Sequence, residues 1–249
     1  MYNLGLIGYP ITHSSSKRYF DQKFKTEKIN HFSYSLYPMV DLKELNNLIY
    51  KKKITGLNVT RPHKTSIIKY LDEIDPTAKK INSVNTVFIN KENKKIGFNT
   101  DLIGFEDLFQ SIHPKKKTKA LILGNGSVAK TISYFFKIHM IDYLIVSRNP
   151  KKGMMSYKNI TDIIDEYQLI INTTPLGQYP KTSISPNIPY HLISNNYYCI
   201  DLIYKPKKSL FLEKCAIQGA KIINGEKMFV SQAEMSWKIW NKLIAKYNV

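Results

Sequence analysis

Short apolar runs alternate with longer amphipathic stretches along this chain. Leu4–Ile7, Phe32–Tyr37, Ile54–Val59 and Val84–Ile89 are dense in branched and aromatic residues and predict strands. Leu42–Tyr50 and Thr65–Leu71 carry apolar residues three and four apart and predict helices. Strands separated by helices imply the α/β class, with a parallel sheet covered on both faces.

The pattern breaks once. A helix over Asp101–Gln110 leads into Ser111–Lys119, a polar, basic segment with a proline, and then the apolar pattern restarts at Ala120–Gly124. The restart predicts a second α/β unit, with further strands at Tyr143–Val146, Leu169–Ile171 and Tyr198–Ile200 and a loop over Thr173–Asn187. Met228–Tyr247 holds both tryptophans and has helical spacing, so a long helix packing on the rest is expected. No internal repeat is visible.

Composition narrows the function classes. The 249 residues suit one large or two modest domains, and 43% hydrophobic with 22% charged residues fits an ordered globular protein. The net charge of +18 points towards a polyanionic partner such as nucleic acid. Yet only Arg18, Arg61 and Arg148 are arginines; the remaining basic residues are lysines in a chain also rich in Asn, Ile, Tyr and Phe, the signature of AT-rich codons. The lysine clusters at 51–53, 115–117 and 205–208 fall in expected turns and read as solvated faces. With no binding module and no clustered arginines, a nucleic-acid-binding protein is the weaker class. Cys199 and Cys215 lack metal-ligand spacing and read as structural residues of a reducing compartment, and the histidines form no metal pattern, so no metal is expected. Neither a signal peptide nor a membrane-length apolar run is present, which predicts a soluble, cytoplasmic protein without a membrane partner.

Specific chemistry begins at Gly124-Asn-Gly126-Ser127-Val-Ala129, between a strand and the amphipathic stretch Lys130–Lys137. This is the context a dinucleotide fingerprint requires: a tight turn, a close backbone approach to pyrophosphate, a small residue where helix meets strand, and a helix N-terminus facing the phosphates. Ser147-Arg148-Asn149 closes the next strand, with Ser147 lying 21 residues beyond Gly126. An NAD-binding chain places an acid there for the ribose 2′-hydroxyl; an arginine, aided by Lys151 or Lys152, suits a 2′-phosphate, so NADP (NADPH) is the expected cofactor.

Four polar clusters occupy expected strand ends or loops of the first half: Gly8-Tyr-Pro-Ile-Thr-His-Ser14-Ser-Ser16, Asn58-Val-Thr60-Arg-Pro-His-Lys64, Ser83-Val-Asn85-Thr86 and Asn99-Thr100-Asp101. Hydroxyls and amides with one Lys and one Asp suit a small polyhydroxylated anion. Together with the glycine loop, Ser147-Arg148-Asn149, Asp201-Leu-Ile-Tyr204-Lys-Pro206 and Asn224-Gly225-Glu-Lys-Met228 leading to Gln232, these segments resemble the shikimate dehydrogenase family almost from end to end.

The resemblance implies a two-domain α/β protein. Residues 1–100 with 225–249 would form an open α/β substrate domain completed by the C-terminal helix, and 101–224 a Rossmann-type NADP-binding domain. It implies reversible reduction of 3-dehydroshikimate to shikimate, with Lys64 and Asp101 at the reacting carbon. Ser14 and Ser16 match the groups that hold the substrate carboxylate. Asn58, Thr60, Asn85 and Gln232 match those around the ring hydroxyls, while Tyr204 and Gly225 match positions near substrate and nicotinamide. The cofactor set carried over is Gly124, Gly126, Ser127, Ala129, Ser147, Arg148, Asn149 and Gly225. His13 and His63 lie inside motifs but match no ligand or base, so local hydrogen bonding is expected of them. Lys17, Asn82-Ser83, Ser127 and Lys205 depart from the family's usual proline, Gly-Ala, glycine and asparagine. A quinate-using or other ring-acid paralogue is the alternative within the family, and monomer and homodimer both stay open.

The chemistry agrees with those roles. Hydride delivery to a ketone builds charge on oxygen, which a cationic donor such as Lys64 stabilises and then protonates. A carboxylate such as Asp101 orients that ammonium; Asp101 could equally cap the helix that follows it.

Overall fold

The computed structural model describes residues 1–12, 14–112 and 118–247. His13, His113, the 115–117 lysine cluster and most of the linker centre lie outside the described residues. The strands are β1 (Tyr2–Gly8), β2 (Phe32–Pro38), β3 (Ile54–Val59), β4 (Glu73–Ile74), β5 (Thr86–Ile89), β6 (Lys95–Phe98), β7 (Ala120–Leu123), β8 (Tyr143–Ser147), β9 (Met154–Ser156), β10 (Leu169–Asn172), β11 (Tyr198–Asp201) and β12 (Lys221–Asn224). The α-helices are α1 (Ser15–Thr26), α2 (Leu45–Lys52), α3 (Pro76–Ile81), α4 (Asp101–Gln110), α5 (Ser127–Ile138), α6 (Leu210–Ile217) and α7 (Glu226–Tyr247).

The described chain divides into two units. The first comprises Met1–Thr100 with Gln232–Val249, and the second Asp101–Ser231. The division falls inside α7, one helical turn and more beyond its start.

The first unit holds a six-stranded sheet of order β2-β1-β3-β5-β6-β4. Here the expectation of an all-parallel sheet is overturned: β1 runs parallel to β2 and β3, but β5 is antiparallel to both β3 and β6. Between β5 and β6 the reversal is a hairpin. The Asn90 side-chain oxygen accepts from the Glu92 and Lys94 amides at 3.0 and 2.8 Å, and Asn93 takes a left-handed φ of 61°, turning the chain back on itself. One core cluster packs Phe20 and Phe24 of α1 with Trp240 and Ile244 of α7 against Leu4, Leu6 and Phe88. The other places Leu45 and Ile49 of α2 over Ile7, Leu57, Val59 and Val87. The helix expected over Thr65–Leu71 is a 3-10 helix, Ser66–Tyr70.

The second unit is a six-stranded, wholly parallel sheet of order β12-β11-β10-β7-β8-β9. Counting from β7, this is the 6-5-4-1-2-3 order of a doubly wound dinucleotide-binding sheet, whose strand order reverses between β7 and β10. Leu121, Leu123, Ile170 and Cys199 are fully buried beneath Phe211 and Cys215 of α6, which explains why these strands read as unbroken apolar runs.

Candidate active site

In the first unit the polar motifs converge on one buried network. Tyr34 of β2 donates its hydroxyl to Asn58 Oδ1 at 2.8 Å. The Asn58 amide nitrogen donates to Ser236 Oγ at 3.0 Å and approaches Thr86 Oγ1 and the Asn85 carbonyl, both at 3.3 Å. Asn85 Oδ1 accepts the Thr100 backbone N–H at 2.7 Å, and Asn85 Nδ2 donates to Thr100 Oγ1 at 2.9 Å and Gln232 Oε1 at 3.4 Å. Ser236 bonds Thr86 and Thr100 at 2.7 and 3.1 Å. Asn58, Asn85 and Gln232 are thus brought together, as the sequence motifs suggest. Ser236, one helical turn after Gln232 on α7, and Thr86 and Thr100 inside their own motifs also belong to the network. The four-residue spacing from Gln232 was the available signal for Ser236.

Ser14 caps α1: its Oγ accepts from the Ser16 backbone N–H at 3.2 Å, so both serines stand at the N-terminus of a twelve-residue helix where an anion is favoured. Lys64 follows β3 on a turn held at three points. Its carbonyl accepts from Val84 N at 2.8 Å, His63 N donates to Thr60 O at 2.9 Å, and His63 Nε2 donates to the Met39 carbonyl at 2.8 Å. His63 therefore has the local hydrogen-bonding role expected of it. Thr60, half-buried, is the first residue of this turn, its N–H bonded to Ile7 O at 2.9 Å. Asp101 opens α4, favourably placed in its first turn and directly after the anchored Thr100.

In the second unit the glycine loop lies at the strand-order reversal. Gly124 takes φ +105°, and an added Cβ would come within 2.8 Å of Thr173 Oγ1, which itself donates to Leu123 O at 2.7 Å. Gly126 caps α5 with no side-chain hydrogen bond, leaving the first-turn N–H groups without a side-chain partner, and its Cβ position faces open space. Such an uncapped helix start, open to an incoming anion, is the cradle a pyrophosphate needs. Ser127 is half-buried and Ala129 is buried where α5 meets the sheet. The Ser147 hydroxyl accepts from Asn149 N at 3.3 Å, turning Arg148 and Asn149 out to solvent. Arg148 acts on Tyr157, whose buried phenol is pushed up to about 12 by burial, with the guanidinium pulling the other way.

Tyr204 and Gly225 also come together. Gly225 N–H donates to Ile203 O at 3.3 Å, and Tyr204 stacks on Phe229 of α7 at 4.7 Å. The segment that follows β11 is pinned by Asp201, fully buried, which accepts from Ser209, from Ile203 N at 3.0 Å and from Asn172 Nδ2 at 3.1 Å. Burial pushes the Asp201 carboxyl up to about 6, against those three donors. Asp201 opens one of the sequence motifs, whereas its partner Asn172 went unread, because a polar residue ending an apolar run carries no local sign of a partner across the sheet. Among the described residues, no group of His, Cys, Asp and Glu could hold a metal, and no helix is long and apolar enough to cross a membrane.

The family model of the shikimate dehydrogenase substrate binding domain matches residues 6–87. A shikimate dehydrogenase (NADP(+)) of Clostridium botulinum is 39% identical over 96% of this chain and 96% of its own length. This chain belongs to the shikimate dehydrogenase family. Its counterpart from Methanosphaera stadtmanae is 35% identical over 98% of this chain and 92% of that protein. Among solved family members, a shikimate dehydrogenase in complex with NADP+ superposes with TM-score 0.85 at 31% identity, covering 96% of this chain and 90% of that one. Shikimate dehydrogenase 1 of Peptoclostridium difficile gives 0.86 at 32%, covering 97% and 92%. The family's members share the two-domain α/β architecture with a Rossmann-type second unit. A quinate dehydrogenase of Corynebacterium glutamicum, 20% identical, matches in fold alone.

Proposed function

We propose that this chain is an NADP-dependent shikimate dehydrogenase that reversibly reduces 3-dehydroshikimate to shikimate on the route to aromatic amino acids, working in the cytoplasm. The observation that carries this reading is the pair of sites: a preformed hydroxyl and amide network in the first unit, and a glycine loop opening a helix at the strand reversal of the second. Buried free thiols at Cys199 and Cys215 suit a reducing compartment.

In this reading the α1 N-terminus, with Ser14 and Ser16, takes the substrate carboxylate. Thr60, Asn58, Asn85 and Gln232 surround the ring hydroxyls. The Lys64 ammonium donates to the ketone oxygen, stabilises the charge that grows there and gives up the proton that completes the alcohol. Asp101 orients that ammonium and accepts from a neighbouring hydroxyl. NADPH, when bound, supplies the hydride. The Gly124–Ala129 loop and the α5 N-terminus would hold its phosphates, Ser147, Arg148 and Asn149 would hold the 2′-phosphate end, and Tyr204 and Gly225 would border the nicotinamide.

Purified protein should reduce NADP+ in the presence of shikimate, with quinate and NAD+ as slower controls. Lys64→Ala should lower kcat by about 10²- to 10⁴-fold with little change in shikimate KM. A fully active Lys64→Ala enzyme removes the proton-donor assignment, and preferred turnover of quinate removes the substrate.

A further inference from the structure

Helices α1 and α7 pack together in the first unit, and each carries part of the substrate contacts given above: Ser14 and Ser16 at the start of α1, Gln232 on α7. The inner part of their contact is aromatic. Phe20 lies 5.7 Å from Trp240 between ring centres, and Phe24 lies 5.4 Å from Trp237. Apolar attraction is non-directional, so it holds the two helices together but fixes their slide along one another only loosely.

The outer part is polar and directional. Glu234, two residues after Gln232 on α7, accepts from the Tyr19 hydroxyl at one carboxylate oxygen and from Lys23 Nζ at the other, the latter at 3.0 Å. Lys23 also donates to Glu27 at 2.6 Å, and its ammonium lies 5.9 Å from the Trp237 ring centre. Ser16, Tyr19 and Lys23 are spaced three and four apart, so they share one stripe of α1. The side chains of Lys23 and Glu234 are 10% and 33% exposed, which spares the pair much of the solvent screening that makes surface ion pairs weak. A carboxylate that receives donors from two successive turns of another helix fixes both slide and rotation. Tyr19, Lys23 and Glu234 all lie outside the sequence motifs.

We propose that Glu234 is a positioning residue for substrate binding: through Tyr19 and Lys23 it sets the register of α1 on α7, and with it the separation of the carboxylate-holding serines from Gln232. The inference rests on the substrate roles given to Ser14, Ser16 and Gln232 above. A ring acid presents its carboxylate and hydroxyls at a rigid separation, so a fixed spacing between the recognising groups removes an ordering cost that would otherwise weaken binding. The tie lies wholly within the first unit, so its loss should appear in the shikimate KM and not in that of NADP+.

Glu234→Ala, which removes the whole tie, should raise the shikimate KM about tenfold, and Tyr19→Phe, which deletes one oxygen and keeps the ring, about threefold; in both, kcat stays within about twofold and the NADP+ KM is unchanged. Added to Glu234→Ala, Tyr19→Phe should raise the KM no further, because its acceptor is already gone. A merely structural Glu234 would lower the melting temperature at an unaltered shikimate KM; that result overturns the positioning role and leaves the proposed function standing, as does a full further threefold rise in the double variant. If Glu234→Ala does not fold, Tyr19→Phe alone decides by the same split between the two Michaelis constants. A wild-type enzyme inactive on shikimate overturns both readings.

Discussion

Gly56 of β3 offers a sharp test of how α7 completes the first unit. A Cβ built at this position would lie 2.5 Å from Trp240 Nε1 and 2.8 Å from both Trp240 Cδ1 and Leu4 Cδ2. Trp240 and Leu4 are fully buried, and the indole N–H donates to the Val87 carbonyl at 3.0 Å. Gly56→Ala must therefore push the indole by about 1 Å to reach ordinary contact near 3.5 Å. Overpacking of this kind costs about 1–3 kcal/mol, and a Trp240 N–H pulled off its carbonyl adds a buried unsatisfied donor at about 1–3 kcal/mol. The expected loss is about 2–6 kcal/mol. Because Gln232 and Ser236 stand on the same helix, the displacement should also raise shikimate KM. Urea unfolding followed by tryptophan fluorescence gives the stability, and steady-state kinetics gives the KM. A variant within about 0.5 kcal/mol of wild type with an unchanged KM would refute the packing argument.

Two other outcomes follow from the second unit. Arg148→Asp should shift preference from NADP+ towards NAD+, since a carboxylate repels a 2′-phosphate and accepts from a ribose hydroxyl; an unaltered ratio of kcat/KM for the two cofactors would refute the role of Arg148. Asp201 should make stability fall as pH rises from about 4 to about 6, because there the native state holds a proton that the unfolded chain has released. A carboxyl lifted from 3.8 to about 6 corresponds to about 3 kcal/mol across that window. Asp201→Asn should flatten the profile relative to wild type, and superimposable urea midpoints against pH would exclude it.

The second unit was legible in the sequence because a parallel sheet buried on both faces writes itself as apolar runs, and the turn after Leu123 needs glycine where φ is positive. The first unit was less so. Its β5–β6 hairpin turns on Asn90 side-chain bonds to amides two and four residues on, and its return strand β6, four residues long, was not read as a strand. Edge strands of two to four residues, β4, β9 and β12, are too short for any period to stand out. The site divides likewise. Asn58, Asn85 and Gln232 lie in motifs and Ser236 follows Gln232 by one helical turn, whereas Tyr34 reaches Asn58 from 24 residues away, a contact that leaves no local pattern.

The last core residues of the first unit, Ala233, Trp240 and Ile244, follow the entire second unit in sequence. A ribosome therefore finishes residues 101–231, a self-contained parallel sheet, while Phe20, Leu4 and Phe88 still await their covering helix. The usual order of synthesis, in which the first half of a chain matures first, is reversed. The nascent first sheet carries an unsealed apolar face until about 130 further residues have emerged, which makes it the half that a chaperone would have most cause to guard.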